Sequence, residues 1–206
     1  MADLSAIAGF YTSEYCSQSP LIDPAAIAQS QHLGYSLNDY GNAFDGLLEN
    51  INGKFHIYLN KKDGGHLYLP RVRFSFAHEL GHYLIPEHYH ILSHPSVKPQ
   101  PSFQTFDMDN KYEVEADYFA SCLLMPEEHI KKDVARQKFS FVVIDEIARK
   151  YNVSVTAALL RFIGIGNHPV MIVCSRSSKI CWTRYSFDFP FTYLLGGKGD
   201  NVPEYT

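Results

Sequence analysis

The 206-residue sequence predicts an α+β fold, with helices and a small β-sheet in the first two thirds of the chain and further strands near its end. Three observations support this prediction. Asn52-Gly53 separates two strand-like runs, as in a β-hairpin with a type I′ turn. Apolar residues recur at helical spacing over Arg71–Leu84 and again over Lys111–Met125. Two short segments near the C-terminus, 170–175 and 180–187, have the composition of strands.

Two helices are predicted before the hairpin, over Ser5–Tyr15 and Pro24–Leu33. The second has signals at both ends, since Asp23 is a suitable N-cap and Gly34 follows the last expected helical residue. Its first residue is a proline, whose ring already fixes the backbone angle that the first helical position needs.

The hairpin strands are predicted over Phe44–Ile51 and Lys54–Asn60, and His66–Leu69 is expected to add a third strand. The helix over Arg71–Leu84 follows and ends before a proline. The segment Glu87–Asn110 combines several histidines and prolines, so we expect it to be long and irregular.

After the Lys111–Met125 helix, Phe139–Tyr151 and Ser154–Ile163 form a predicted helix-turn-helix-like pair. Strands of the tail come after this pair. We divide the chain into residues 1–135, which hold the first helices and the sheet, and residues 136–206, which hold the helical pair and the β-rich tail. The second part is expected to pack on the first as one unit.

Composition excludes several classes of protein. Hydrophobic residues make up 46% and charged residues 19%, which suits a packed core and not a disordered chain. The formal net charge of -4 gives no electrostatic reason to bind a polyanion, so direct nucleic-acid binding is not expected. No run approaches the ~20 apolar residues of a membrane span, and no secretory signal is recognisable. We therefore expect a soluble, cytoplasmic protein.

The strongest motif is His78-Glu79-Leu80-Gly81-His82, an H-E-x-x-H within a predicted helix. Residues four apart lie on one helical face, so both imidazoles can bind a single cation. Glu79 is rotated about 100° from His78 and can act as a general base toward water beside that cation. The motif predicts His78 and His82 as metal ligands and Glu79 as the catalytic residue. The alternative is a pair of ordinary core or surface histidines.

The Lys111–Met125 helix supplies acidic candidates for a third ligand. A catalytic zinc site typically has three protein ligands and one open position, and a carboxylate suits the third place. Glu113 is the predicted ligand, and Asp117, one turn later, is predicted to accept a hydrogen bond from a ligating histidine. Glu115 competes with Glu113 but lies about 200° around the helix, on the opposite face. Ordinary surface charges are the alternative for both glutamates.

Two stretches of the chain resemble signatures of the ImmA/IrrE family of metallopeptidases. Residues 73–83, RFSFAHELGHY, look like the family's R-F-x-x-A-H-E-x-G-H pattern. Residues 113–126, EVEADYFASCLLMP, look like its E-x-x-A-[ND]-x-F-A…L-L-M-P pattern. The two stretches occur in the family's order, and the resemblance extends over about residues 24–164.

This resemblance implies a zincin-like metallopeptidase core of the gluzincin type, in which the H-E-x-x-H helix packs on the second ligand-bearing helix and on a small β-sheet. It implies His78, His82 and Glu113 as ligands of Zn²⁺, with another divalent metal such as Mn²⁺ as an alternative, and Glu79 as the general base. The implied substrate is a protein, typically a helix-turn-helix repressor or antitoxin encoded nearby. Its cleavage, under a stress signal, would release transcription.

The chain departs from the family pattern after the metal-binding helix, where many members carry another histidine and residues 86–90 here are PEHYH. His88, His90 or His94 could stabilise an oxyanion, or be solvated loop residues. Two other functions stay open: a DNA-binding regulator that uses the helix-turn-helix-like pair, and a metal-dependent binding or sensor module without proteolysis. The second helix of that pair offers only Arg161 as a basic side chain, which disfavours the regulator.

Overall fold

The computed structural model describes residues 2–15, 21–62, 64–94, 96–97, 101–103, 110–135, 137–165, 168–191 and 196–203. Over these residues the chain forms eight helices and five strands, which confirms the α+β class. The helices are α1 (Ala2–Tyr15), α2 (Pro24–Ser30), α3 (Pro70–Leu84), α4 (Pro86–Leu92), α5 (Lys111–Leu124), α6 (Glu127–Val134), α7 (Phe141–Tyr151) and α8 (Val155–Ile165). The strands are β1 (Gly34–Asn38), β2 (Gly46–Ile51), β3 (Lys54–Asn60), β4 (Met171–Arg176) and β5 (Lys179–Tyr185).

A three-stranded sheet in the order β1-β3-β2 packs beneath α3 through buried residues such as Ile57 and Leu59. Strands β2 and β3 are antiparallel and form the predicted hairpin. At its tip Asn52 and Gly53 have φ values of 53° and 82°, as a type I′ turn requires. On the other side of β3, β1 runs parallel to it, with Gly34 opposite His56.

The predicted third strand is wrong: His66–Leu69 forms a turn that leads into α3, and Gly34–Asn38 supplies the third strand instead. Helix α2 also ends earlier than predicted, at Ser30 and not at Leu33. His32 takes a left-handed conformation, with φ of 52°, and the backbone N–H of Leu33 donates to the carbonyl of Ala28. His32 thus takes the left-handed position at the end of the helix, and Gly34 is not needed there.

Gly34 has a packing role within the sheet instead. A Cβ atom at this position would lie 2.8 Å from Nδ1 of His56 on the neighbouring strand. Glycine therefore permits the close approach of the two strands.

The segment after α3 is more regular than expected. Glu87–Asn110 was predicted to be irregular, but helix α4 occupies its first part. Helix α3 ends at Leu84, before Pro86 as predicted, and the same proline begins α4 as a first-turn residue after the extended residue Ile85. Residues 95, 98–100 and 104–109 lie outside the described residues.

Helices α7 and α8 form where the helical pair was predicted. Ser140 caps α7 by accepting a hydrogen bond from the backbone N–H of Val143, and Asn152 ends the helix with a left-handed φ of 50°. Strands β4 and β5 then form an antiparallel pair. The use of α7 and α8 as a DNA-binding helix-turn-helix stays a prediction.

One hydrophobic cluster connects these elements. It contains residues on both sides of position 135, for example Ile130 on α6 and Ile144 on α7. The division into 1–135 and 136–206 stays a prediction. Within the parts of the chain that the structure describes, no helix has the length and apolar character to cross a membrane.

Helices α3 and α5 pack closely against each other at Gly81. A Cβ atom at this position would lie 3.0 Å from Cδ1 of Phe119 and 3.4 Å from Cα of Ala116. Both neighbours belong to α5, and both are buried. Glycine at this point lets the two helices pack at short distance.

We expect Gly81→Ala to lower the free energy of unfolding by about 1–3 kcal/mol, because overpacking outweighs the gain of about 1 kcal/mol in helix propensity. Gly9→Ala is the matched control, since an added Cβ in α1 meets nothing within 4 Å. It should stabilise the protein slightly. Urea unfolding measures both changes, and equal stability of the two variants would contradict the close helix contact.

Candidate metal centre

Helices α3 and α5 bring three candidate metal ligands together. His78 and His82 lie one turn apart on α3, and Glu113 lies in the first turn of α5. The side chain of Asn110 caps α5 by accepting a hydrogen bond from the backbone N–H of Tyr112, which fixes where that helix begins. The three side chains offer ligand atoms that all lie within 4.8 Å of one another.

The separations between these atoms fit one tetrahedral cation. Nε2 of His78 lies 3.1 Å from Nε2 of His82. The two oxygens of Glu113 lie 3.2 Å from Nε2 of His78 and 3.4 Å from Nε2 of His82. Ligands bound about 2.0–2.1 Å from a tetrahedral Zn²⁺ are about 3.3 Å apart. The arrangement therefore suits a zinc-sized ion.

Asp117 contacts His78 on the side away from the cluster. Its Oδ1 lies 2.8 Å from Nδ1 of His78. As a metal ligand, His78 would donate its Nδ1–H to this carboxylate and keep the lone pair of Nε2 for the ion. The structure thus brings Asp117 next to His78, and its role in support of a metal ligand stays a prediction.

The charges of the cluster depend on one another. Burial alone would lower the pKa of His78, but hydrogen bonds to Asp117 and Glu113 raise it to about 10. Burial would raise the pKa of Glu113, but hydrogen bonds from the two histidines lower it overall. Burial also lowers the pKa of His82. Glu113 is therefore a carboxylate and His82 a neutral imidazole at neutral pH, the forms that bind metals, whereas His78 carries a proton that a bound metal ion would displace.

Glu79 is buried beside the cluster, with 1% of its surface exposed. Burial raises the pKa of its carboxyl group to about 7, against the opposing effect of the charge on His78. Among the described residues, its Oε1 has no hydrogen-bond partner. A buried acceptor of this kind, with a pKa near neutrality, suits a general base that works on water.

Gly46 places the backbone of β2 directly against Glu79. A Cβ atom at this position would lie 2.5 Å from Oε1 of Glu79. The strand is held there by hydrogen bonds between Gly46 and Ser102. This residue was not predicted; a glycine inside the predicted strand Phe44–Ile51 was the available signal.

A cavity of about 130 Å³ opens beside these groups. Polar side chains of the cluster line one part of it, and apolar side chains line the rest. Its lining residues are Leu48, Glu79, His82, His88, Ile91, Leu92, Val97, Tyr112 and Glu113.

Glu115, the competing candidate, lies outside the three-residue cluster. Its Oε2 is 3.0 Å from Nε2 of His88, and its Oε1 is 3.5 Å from Nζ of Lys111. The geometry therefore favours Glu113 over Glu115 as the third ligand.

The histidines after α3 differ from one another. His90 and His94 are exposed. His88 is 1% exposed, and its Nδ1 lies 3.1 Å from Nδ1 of His82, so a solvated loop residue is the wrong interpretation for it. This contact was not predicted, because it depends on helix α4 in a segment that was expected to be irregular.

Residues 57–162, just over half of the chain, match the model of the family described as Peptidase_M78, IrrE N-terminal-like domain. The chain belongs to this family. The predicted resemblance to the ImmA/IrrE metallopeptidases is confirmed, and the family supports a role as a peptidase or in regulation. No curated protein matches this M78 chain.

Among solved structures, the M78 chain is similar to a Mycobacterium tuberculosis transcriptional regulator, with a TM-score of 0.60 and 14% sequence identity. The alignment covers 92% of this chain and 57% of that one. At this identity the similarity concerns the fold alone. The M78 chain thus spans little more than half the length of the regulator.

We expect Glu113→Gln to lose metal and Glu115→Gln to retain it. Glu113→Gln removes the carboxylate ligand from the cluster. Glu115→Gln keeps an amide oxygen that can still accept a hydrogen bond from His88. Both variants remove one negative charge from α5, so each controls for the other. Metal analysis after gel filtration measures occupancy, and the reverse pattern would show that the wrong face of α5 was chosen.

Proposed function

We propose that this M78 protein is a zinc-dependent endopeptidase, with His78, His82 and Glu113 holding the metal and Glu79 acting as the general base. The observation that carries this proposal is the unpaired, buried oxygen of Glu79 beside three groups with the spacing of cation ligands. A purely structural metal site has no use for such a base. The adjoining cavity gives a substrate access to it.

The chemistry divides between the metal and Glu79. His78, His82 and Glu113 would hold a divalent cation that, when bound, would polarise a peptide carbonyl and lower the pKa of water toward about 7. Glu79 accepts the proton of the attacking water and returns it to the leaving amine, so the enzyme ends each cycle in its starting form. Its pKa of about 7 suits both transfers at neutral pH.

Zinc is the proposed metal because two imidazoles and one carboxylate, with an open fourth position, are typical of catalytic zinc sites. Mn²⁺ is the alternative, since carboxylate ligands also suit it. Asp117 supports either ion by fixing the tautomer of His78.

The proposed substrate is a protein, specifically a small helix-turn-helix repressor or antitoxin encoded nearby and cut after a stress signal. The family resemblance supports this choice. The apolar part of the cavity, which includes Leu48 and Leu92, suits an apolar side chain of such a substrate. Cleavage of a repressor would take place in the cytoplasm.

A DNA-binding regulator is the weaker alternative, although the similar solved structure is named as a transcriptional regulator. Arg161, the basic residue of α8, is buried and donates from Nε to the backbone carbonyl of Met125. The Arg161 side chain therefore lies in the protein interior, where it cannot contact a DNA groove. A non-proteolytic metal module is disfavoured by the base Glu79.

We expect Glu79→Gln to keep its metal and its stability but to cleave at least 10²-fold more slowly, because an amide cannot accept the proton. The His78→Ala/His82→Ala double variant is the control that should lose the metal. Cleavage of the neighbouring repressor or antitoxin is followed by mass spectrometry. A Glu79→Gln protein as fast as wild type would exclude the peptidase mechanism and favour the binding module.

We expect Gly46→Ala to retain its metal, to lower the free energy of unfolding by about 1–3 kcal/mol and to slow cleavage by about 10- to 100-fold. The added methyl group would overlap Oε1 and crowd Cγ of the buried Glu79, so this side chain must shift and the base is misplaced. Gly9→Ala, the same change in open space, serves as the control. Undiminished cleavage by Gly46→Ala would mean that the position of this oxygen does not matter for the reaction.

A further inference from the structure

We propose that His88 and Glu115 form a hydrogen-bonded chain that positions His82 for metal binding. Neither residue belongs to the cluster of candidate ligands. Both act through His82 and are therefore positioning residues. This inference rests on the proposed function, since it concerns the metal that the three ligands would hold.

The chain starts at the ring nitrogen of His82 that faces away from the cluster. Nδ1 of His82 lies 3.1 Å from Nδ1 of His88, and Nε2 of His88 lies 3.0 Å from Oε2 of Glu115. Each distance is that of a hydrogen bond. The three side chains thus form one continuous chain of hydrogen bonds from the cluster to Glu115 on α5.

Only one direction of donation suits a ligand at Nε2 of His82. That atom must be free of a proton, so the proton of the ring sits on Nδ1 and is donated to Nδ1 of His88. His88 then carries its own proton on Nε2 and donates it to the carboxylate of Glu115. Every ring nitrogen in the line is used, and the tautomers of both histidines are fixed.

Packing holds His88 in this orientation. Its ring is 1% exposed and lies edge-on to the ring of Tyr112, with centroids 5.1 Å apart. Its centroid lies 5.1 Å from that of His82. A buried imidazole with both nitrogens bonded has little freedom to rotate.

The two candidate histidine ligands are therefore supported in parallel ways. His78 bonds directly to the carboxylate of Asp117, whereas His82 reaches the carboxylate of Glu115 through His88. Both carboxylates belong to α5, the helix that also carries Glu113. Helix α4 supplies His88, which connects His82 to the carboxylate of Glu115.

Zinc affinity, measured by competition with a chromophoric chelator, tests the proposal without any substrate. His88→Phe keeps a ring but removes both hydrogen bonds, and we expect it to weaken zinc binding by about 10- to 100-fold. His88→Asn keeps an oxygen that can accept from Nδ1 of His82, and it should recover most of the affinity. His90→Phe, an exposed position on the same helix, should bind zinc like wild type.

Glu115→Leu is a second variant. It tests the proposal even if circular dichroism shows that His88→Phe is unfolded. It removes the last acceptor at a partly exposed position, and it should weaken zinc binding by about 10-fold. Affinity within about twofold of wild type in both His88→Phe and Glu115→Leu would overturn the inference, as would a His88→Asn protein no better than His88→Phe. A wild-type protein that binds no zinc would overturn the proposed function as well, which distinguishes the two failures.

Discussion

The contact between α3 and α5 at Gly81 is the constraint on which the candidate site depends. Two of the three clustered side chains come from α3 and the third comes from α5, so neither helix holds the set alone. A glycine opposite Ala116 and Phe119 keeps the helices close enough for nitrogen and carboxylate atoms to approach within 3.4 Å. The core therefore fixes the distance that the chemistry needs.

Local patterns were enough to predict which three side chains come together at the candidate site. The spacing of His78 and His82 places both on one helical face whatever the rest of the chain does. The same periodicity separated Glu113 from Glu115, and the structure brings only the first of the two into the cluster. The hairpin was predictable for a similar reason, because Asn52-Gly53 specifies its turn locally.

Features that depend on distant contacts were not predictable. Strand β1 is the parallel neighbour of β3 in the sheet, but β2 lies between them along the chain. No turn in the sequence therefore indicates this pairing. His88 contacts His82 only because α4 packs next to α3 in the folded chain. Gly46 likewise has a role only because β2 passes beside Glu79, which a search for chemically reactive side chains overlooks.

The separation of the clustered residues along the chain has a consequence for the folded state. All of α4 and the segment after it lie between His82 and Glu113. An ion bound to both acts as a cross-link that an unfolded chain cannot form, so its binding energy adds to the stability of the fold. Each tenfold rise in free ion above the dissociation constant adds about 1.4 kcal/mol. The concentration of free ion would thereby set part of the stability of the folded chain.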